Sequence, residues 1–412
     1  MNQNKPQTLK GFRDFLPETM VVRNYVKKLL IDTFENFGFE PLETPALEYA
    51  STLMGKYGEE ADKLVYTFKD NGDRQIGLRY DLTVPTSKVL AIYKNQLLLP
   101  FKRYQIQSVY RGENTQKGRY REVLQCDIDT FGPISPVNDA EIVAVIYTIM
   151  EKLGFKKYSI RINSRQVLRQ IMDLSGIADN QNSVLQSLDK FNKIGTDGVT
   201  KELINKGLSQ VQIDRLFDYI KSAQPDVYLQ QVFDKLQMLG VPKTVYKFDP
   251  TMVRGLDYYT GPIFETYVEE PQIGSVTGGG RYDNLVKILG GPDTPAVGTT
   301  IGLDRLVDCI VELNLLPNLL KTSTKIMVAN FGQEDQSLKL ATLLRQNNIN
   351  TLLYPDPDKI GKQFKYASDK GIPFVAVIGP DEAKNNTVTL KNMVTGDQKT
   401  INQKDILNFI NN

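Results

Sequence analysis

Between Arg111 and Asp129 the chain carries arginines, an amide and carboxylates at spacings that could hold a polyanion beside a small cation. If the segment after Gly118 is an extended strand, Arg121, Val123, Gln125, Asp127 and Asp129 share one face, and Glu122, Leu124, Cys126 and Ile128 the other. Residues 104–111 read as an antiparallel partner, and the polar stretch 112–118 as the loop between them. Such a hairpin presents Arg111, Arg119 and Arg121 near Gln125 and Asp129. Guanidinium forks match phosphate and carboxylate oxygens two at a time and stay charged at biological pH. A solvated sheet face with ion pairs would use the same residues. A second group is VRGLDYYT at 253–260, where Arg254 is followed at i+4 and i+5 by Tyr258 and Tyr259, a set suited to charge stabilisation and to hydrogen bonding a polar ligand. In GGGRYDNL at 278–285, three adjacent glycines let backbones approach closely or leave room for a substrate above a sheet. AVGTTIGLDRL at 296–306 runs a glycine-bearing strand into a helix that carries Arg305. No GxxxxGK[ST] loop is present, which excludes a Walker-type nucleotide site.

Composition narrows the chemistry further. None of the 412 residues is histidine, where a usage of roughly one in fifty would give about eight. Ser/His/Asp and Cys/His nucleophile systems, histidine-bearing zinc sites and histidine general bases are therefore excluded. Cys126 and Cys309 lie far apart without metal-ligand spacing and read as reduced thiols of a cytoplasmic protein. The chain is 41% hydrophobic and 24% charged, enough for large cores, and its length suggests two or three domains. No run of about 18 apolar residues occurs, so neither secretion nor membrane spanning is expected. A net charge of +2 neither marks nor excludes a nucleic-acid partner.

The elements that must position these residues follow from periodicity. Val22, Tyr25, Val26, Leu29, Leu30, Phe34 and Phe37 form a helical stripe closed by Gly38, with a strand at 39–44 behind it. Residues 166–241 place apolar side chains such as Leu185, Leu188, Phe191, Leu203, Leu208, Ile213, Leu216, Phe217 and Ile220 at helical intervals, a helical insertion in a β-rich domain. Strands return at 246–249 and 263–268. From Lys325 onward strands at 325–330, 351–354, 374–378 and 387–391 alternate with helices at 336–346, 361–370 and 404–410, which predicts a small, mostly parallel α/β domain. The boundary falls within 312–324.

In order and wording these pieces resemble the histidyl-tRNA synthetases, a class II aminoacyl-tRNA synthetase family, over essentially the whole chain. KGFRDFLP and the helix up to Pro45 resemble the first class II motif, which forms a dimer interface. LRYDLTVP at 78–85 is similar to the family's substrate-amine segment, and VYRGENTQKGRYREVLQCDID at 109–129 to the second motif. VRGLDYYTG and SVTGGGRYDNL resemble the two histidine-specific signatures, and VGTTIGLDRL the third motif. The resemblance implies a class II antiparallel-sheet catalytic core over 1–324, containing the helical insertion at 166–241, and an anticodon-binding α/β domain over 325–412. That last domain holds 11 Lys plus Arg against 9 Asp plus Glu, so its charge alone would not have suggested RNA.

The implied activity is ATP-dependent attachment of L-histidine to tRNA(His) through a histidyl-adenylate, releasing AMP and pyrophosphate. Arg111 and Arg305 are expected on the α- and γ-phosphates of ATP and Glu113 on the adenine, with Arg119 and Arg121 in the same ATP-binding set. Asp81, Thr83 and Gln125 are expected around the histidine amino group. Asp129 and Tyr259 are expected to read the imidazole, with Tyr258 and Tyr282 lining the pocket. Arg254 is expected to support the α-phosphate, which makes Arg111 and Arg254 the catalytic pair as well as histidine contacts. Asp81 and Asp129 stand where many relatives have glutamate. Asp129→Ala is expected to abolish histidine activation with the fold intact. Magnesium would come with the ATP phosphates rather than from a His or Cys site, and the partners are L-histidine, ATP, tRNA(His) and a second copy of the chain, with no membrane. The alternative is a catalytically silent regulatory subunit of histidine biosynthesis; such relatives typically lack the C-terminal domain and degrade the RGLDYY signature, and both are present here. An enzyme of this family without histidine codons can be translated when its own product is scarce, which would give the empty histidine column a reason. Compositional drift, to which the zero tryptophan count also points, and deliberate engineering are the other readings.

Overall fold

The helical stripe near the N-terminus folds as α1, Pro17–Asn36, with Val26, Leu30 and Phe34 fully buried. Gly38, at φ +76°, supplies the left-handed residue that closes it. The strand behind it is shorter than the pattern suggests: β1 is only Glu40–Pro41, with the Leu42 N–H adding one last bond to the Tyr104 carbonyl. The computed structural model describes residues 5–115, 118–254, 256–317, 319 and 321–410. Parts of the 112–118 loop and of the 312–324 boundary, and Gly255 of the RGLDYYT signature, lie outside the described residues. The chain divides into two compact units, Met1–Asp14 with Val26–Leu316, and Phe15–Tyr25 with Pro317–Asn412.

The larger unit is built on an eight-stranded sheet. Besides β1 it contains β2 (Phe101–Tyr110), β3 (Glu122–Phe131), β4 (Tyr158–Ser164), β5 (Tyr246–Phe248), β6 (Pro262–Val268), β7 (Ser275–Arg281) and β8 (Ala296–Gly302), in the order β1-β2-β3-β8-β7-β6-β4-β5. The six central strands are antiparallel to their neighbours, and the short edges β1 and β5 pair in parallel. The hairpin read from sequence is present: β2 and β3 pair without a break from Phe101 opposite Phe131 to Tyr110 opposite Glu122. A separate three-stranded sheet, Leu47–Tyr49, Thr67–Lys69 and Gln75–Leu78, leads into the Asp81 segment and then into α2, Thr83–Ile92. Helix α3, Pro136–Lys152, starts at a Ser135 cap with proline at its first position and buries Ile142, Val143, Val145, Ile146 and Ile149.

The helical insertion consists of five helices, α4 (Arg165–Leu174), α5 (Gln181–Leu188), α6 (Phe191–Asn205), α7 (Gln210–Ser222) and α8 (Val227–Met238). Their periodic residues Leu185, Leu188, Leu203, Ile213, Leu216 and Ile220 are buried in one cluster that continues into Tyr258, Tyr259 and Tyr282. The insertion therefore shares a core with the tyrosines singled out as chemical residues.

The second unit carries a five-stranded sheet of β9 (Ile326–Val328), β10 (Thr351–Leu353), β11 (Phe374–Val377), β12 (Thr387–Asn392) and β13 (Gln398–Asn402), in the order β10-β9-β11-β12-β13. The first three are parallel, joined through the helices Glu334–Gln346 and Ile360–Lys370; β12 and β13 extend the sheet antiparallel. Strand β13 gives no apolar signal, since only Ile401 of its five residues is buried. Among the described residues no helix is long and apolar enough to cross a membrane. Cys126 and Cys309 remain thiols in the interior, where burial pushes Cys309 up to about 12.

Candidate active site

The alternation along β3 places Gln125, Asp127 and Asp129 on the wall of one pocket, of about 380 Å³, with Asp81, Thr83, Arg111, Arg254, Tyr258, Tyr259 and Tyr282. The pairing explains how a sheet interior tolerates so many polar groups. On β2, Arg103, Gln105 and Gln107 stand opposite Asp129, Asp127 and Gln125; on β8, Gly298, Thr300 and Gly302 stand opposite the same three. The glycines make the space. A Cβ at Gly298 would strike the Asp129 carboxylate, one at Gly278 the Arg254 guanidinium, and one at Gly279 the backbone of Gly298. One at Gly280 would lie 2.6 Å from the Pro262 carbonyl and 3.0 Å from the Tyr259 ring. The GGG run thus does both things proposed for it, close backbone approach and an open surface above the sheet.

Three buried carboxylates line the pocket, each 3% exposed or less. Asp81 accepts from Tyr57 and Tyr258 hydroxyls at 3.2 Å each and from the Val84 N–H, 3.0 Å, at the start of α2. Burial pushes its carboxyl up, against the Val84 N–H and the charge of Arg111. Asp129 accepts from the Tyr282 hydroxyl through Oδ1 and pairs with Arg103 Nη2 through Oδ2 at 2.6 Å; burial raises it, with Arg103 and Tyr282 opposing. Asp127 is lifted by burial to about 7, with Arg103 opposing and Asp129 adding to the rise. The tyrosines form the apolar side, with ring centroids of Tyr258 4.8 Å from Tyr259 and 5.9 Å from Tyr282.

Beside the pocket opens a cleft of about 2,030 Å³ lined by Tyr80, Arg111, Glu113, Arg119, Val123, Arg254, Glu265 and Arg305, with Gln186, Asp189 and Lys190 from the insertion. Arg111 donates from Nε to the Tyr80 carbonyl, 3.0 Å, and its guanidinium stacks over the Tyr80 ring at 4.7 Å. Arg254 is held by Glu265 and by the Tyr259 hydroxyl, 3.4 Å. Arg119 pairs with Glu113 at 2.7 Å. Arg305 donates to the Gly118 and Ser275 carbonyls, 2.8 Å each. Burial, and after it the positive fields of Arg119 and Arg111, hold Arg305 below its ordinary value. Arginines crowded against one another in this way suit a multiply charged anion.

Twelve of the thirteen residues expected from sequence line the pocket or the cleft; the exception is Arg121. Its side chain turns to the Glu113 carbonyl, 3.2 Å, and the Lys10 carbonyl, 3.4 Å, and its N–H bonds the Gly11 carbonyl. Regular β3 starts at Glu122; the Arg121 carbonyl still accepts from the Arg111 N–H, but its own N–H goes to Gly11, so the strict alternation does not carry its side chain into the site. Sequence reasoning missed Arg103, Glu265 and Arg165. Arg165 opens α4, and its Nη2 donates to the Arg254 and Leu256 carbonyls at 2.7 and 2.8 Å, so the insertion braces the loop that carries Arg254. A charge inside an otherwise apolar strand, as in the IFETYV of β6, was the available signal for Glu265.

The family model described as Histidyl-tRNA synthetase matches residues 11–306. The chain belongs to the histidyl-tRNA synthetase family. A second model, Anticodon binding domain, matches residues 325–412. Among relatives of the family, the histidine–tRNA ligase of Clostridium tetani is 40% identical, over 99% of this chain and 98% of its own length, and that of Phocaeicola vulgatus 38% identical, over 98% of each. The crystal structure of histidyl-tRNA synthetase from Nostoc sp. PCC 7120 matches with a TM-score of 0.85 at 30% identity, over 100% of this chain and 99% of that one. A Bacillus halodurans structure titled as an ATP phosphoribosyltransferase regulatory subunit/histidyl-tRNA synthetase, at 20% identity and a TM-score of 0.71, shares the fold. The residues lining the pocket and the cleft all fall within 11–306, the stretch that the first model matches.

Proposed function

We propose that the chain activates L-histidine with ATP in the joined pocket and cleft and transfers it to tRNA(His). The observation that carries this reading is that Arg111 and Arg254 line both spaces. An amino acid seated in the pocket and a triphosphate in the cleft meet between these two guanidinium groups. Attack of a carboxylate on the α-phosphate brings two anions together, so its chief demands are positioning and neutralisation of developing charge. Neither demand needs an imidazole, which is how a histidine-free chain can run the reaction.

Asp81, with Thr83 and Gln125 beside it, suits the substrate ammonium; Gln125 Oε1 is buried with no hydrogen-bond partner. Asp129, Tyr259 and the rings of Tyr258 and Tyr282 suit the imidazole side. Arg305, Arg119 and Glu113 suit the far phosphates and the base. Arg121 acts in this reading as a brace for the 112–115 segment rather than an ATP contact. Among the described residues no group of three acidic or cysteine side chains could hold a metal ion. A magnesium ion would fit as one borne on the phosphates, where Glu113, Glu265 and Asp189 are the carboxylates that line the cleft, and it would supply neutralisation of phosphate charge. The C-terminal unit would take the anticodon, the first-motif segment a second copy of the chain, and the protein would work in the cytoplasm.

ATP/pyrophosphate exchange with each amino acid, followed by charging of tRNA, tests the reading. Exchange with histidine alone and charging of tRNA(His) are expected. Exchange with no amino acid would revive the regulatory-subunit reading, which the full-length likeness to ligases and the match at 325–412 disfavour.

A further inference from the structure

Arg165 is the first residue of α4, where the helical insertion leaves the sheet, and only 2% of it is exposed. Among the described residues, the hydrogen bonds it donates all go to carbonyls of one stretch of chain. Its Nη2 reaches Arg254 and Leu256 at 2.7 and 2.8 Å, and its N–H reaches Gly261 at 2.9 Å. The Nε is buried without a hydrogen-bond partner. A guanidinium taken out of water to meet only carbonyls costs more than an apolar side chain of similar length, so packing alone does not call for one here. What the charge achieves is a grip on both ends of the 254–261 signature. Two residues earlier, at the end of β4, buried Asn163 donates to the Pro250 and Met252 carbonyls at 3.3 and 2.9 Å. The whole stretch from 250 to 261 is therefore strung on the junction of β4 and α4.

We propose that Arg165 is a positioning residue for the activation step, fixing the backbone of Arg254 from the insertion side and so joining the helical insertion to the reacting centre. The proposal rests on the reading of Arg254 as the group at the α-phosphate. Arg165 itself lines neither the pocket nor the cleft, so whatever it contributes passes through Arg254. The Arg254 side chain is already held on the sheet side by Glu265 of β6; with its carbonyl held by Arg165, the residue is fixed at both ends. The coupling is broad enough to carry the insertion with it. Leu168, Ile171 and Met172 of α4 pack in the same cluster as Tyr258 and Tyr259, and Gln186, Asp189 and Lys190 of the insertion line the cleft. Burial holds the Arg165 guanidinium down to about 10, with Asp257 opposing, so it remains charged at neutral pH.

The test is pyrophosphate exchange with histidine, rates being referred to active sites counted from the adenylate burst. Arg165→Met keeps the length of the side chain and removes its donors. In that variant kcat and kcat/KM should fall together by roughly 10- to 100-fold, as for a group needed in the transition state and misplaced by about 1 Å. Arg165→Lys, whose ammonium can still donate to a carbonyl, should recover part of the loss. In an Arg254→Ala background the same substitutions should leave kcat where Arg254→Ala alone puts it, because the group they misplace is gone. If Arg165→Met does not fold, Arg165→Lys in the two backgrounds makes the comparison. Wild-type kcat in Arg165→Met, or an equal fold loss with and without Arg254, overturns the proposal. A wild type without histidine-dependent exchange would instead overturn the functional reading beneath it.

Discussion

Arg103 and Asp129 face each other across β2 and β3 and form an ion pair of 2.6 Å from which both side chains are shut off from solvent, at 0% and 3% exposure. Deep pairs of this kind add little net stability while intact, but removing one partner strands the other charge at a cost of about 3–5 kcal/mol. Arg103→Met should lower unfolding stability in urea by about that amount and raise KM for histidine, because Asp129 loses one of its two anchors. The same geometry changes the expectation for Asp129→Ala: that variant strands Arg103 and should unfold more easily, so Asp129→Asn, which keeps the shape, is the cleaner probe of histidine activation. Wild-type stability in Arg103→Met would show that water reaches the pair.

Gly278 lies under the Arg254 guanidinium, and any Cβ there collides with Nη1. Gly278→Ala should therefore displace Arg254 from Glu265 and Tyr259 without burying a charge or opening a cavity. A shift of about 1 Å at a positioning group can cost on the order of 10²-fold. The expected result is a fall of that order in the exchange rate, with an unfolding midpoint close to that of the wild type. An exchange rate left at the wild-type value would mean that Arg254 does not contribute from this position.

A second buried network should matter for stability and little for rate. Asp139 on α3 accepts from Arg281 of β7 and from the Tyr228 hydroxyl of α8, 2.8 Å, and Arg281 also pairs with Asp283 at 3.0 Å. It ties the sheet to the last helix of the insertion. Tyr228→Phe removes a single hydrogen bond to a charged group and should cost about 1.5–3 kcal/mol. Asp139→Ala leaves Arg281 without its main counter-charge and should cost about 3–5 kcal/mol. Urea unfolding of both variants, beside exchange rates, separates the two effects; equal stabilities would mean that the network relaxes.

These residues show what the sequence could and could not display. The period-two alternation from Val123 to Asp129 gave the pocket-facing side of β3, since a strand has only two faces and one of them was plainly polar. The same alternation runs through Arg103, Gln105 and Gln107 on β2, but which strand lies against which carboxylate is a matter of register, and no local pattern states register. Glu265, Arg165 and the Arg281–Asp139 pair act across separations in sequence from 11 residues, for Arg254 and Glu265, to 142, for Arg281 and Asp139. Arg121 was drawn into the site because three arginines in one hairpin look alike in sequence, and only the path of the chain before Glu122 turns one of them to the Lys10 carbonyl.

The empty histidine column predicts an effect on supply rather than on rate. Ribosomes reading this message never wait for charged histidyl-tRNA. During histidine starvation, synthesis of the chain should fall less than that of a version in which surface residues such as Gln210 and Gln230, both on exposed faces of the insertion, are replaced by histidine. Pulse labelling of the two versions in the same cells reads the difference; equal declines would leave drift or engineering as the explanation.

Asp127 should carry a stability cost that rises with pH. Its folded-state value of about 7 lies above the unfolded value of about 3.9, so between the two the folded chain holds a proton that the unfolded chain has released. Stability then falls as pH rises through that window and levels off above about 7. A difference of about 3 pH units corresponds to about 4 kcal/mol as a ceiling. Asparagine cannot ionise, so Asp127→Asn should be more stable than the wild type at pH 8, with the gap closing toward pH 5, while other titrating groups cancel in the comparison. Urea unfolding of both proteins at the two pH values measures it. A gap of the same size at both would mean that Asp127 is already ionised in the folded chain at pH 5, and that the pocket holds its carboxylate charged without any ligand.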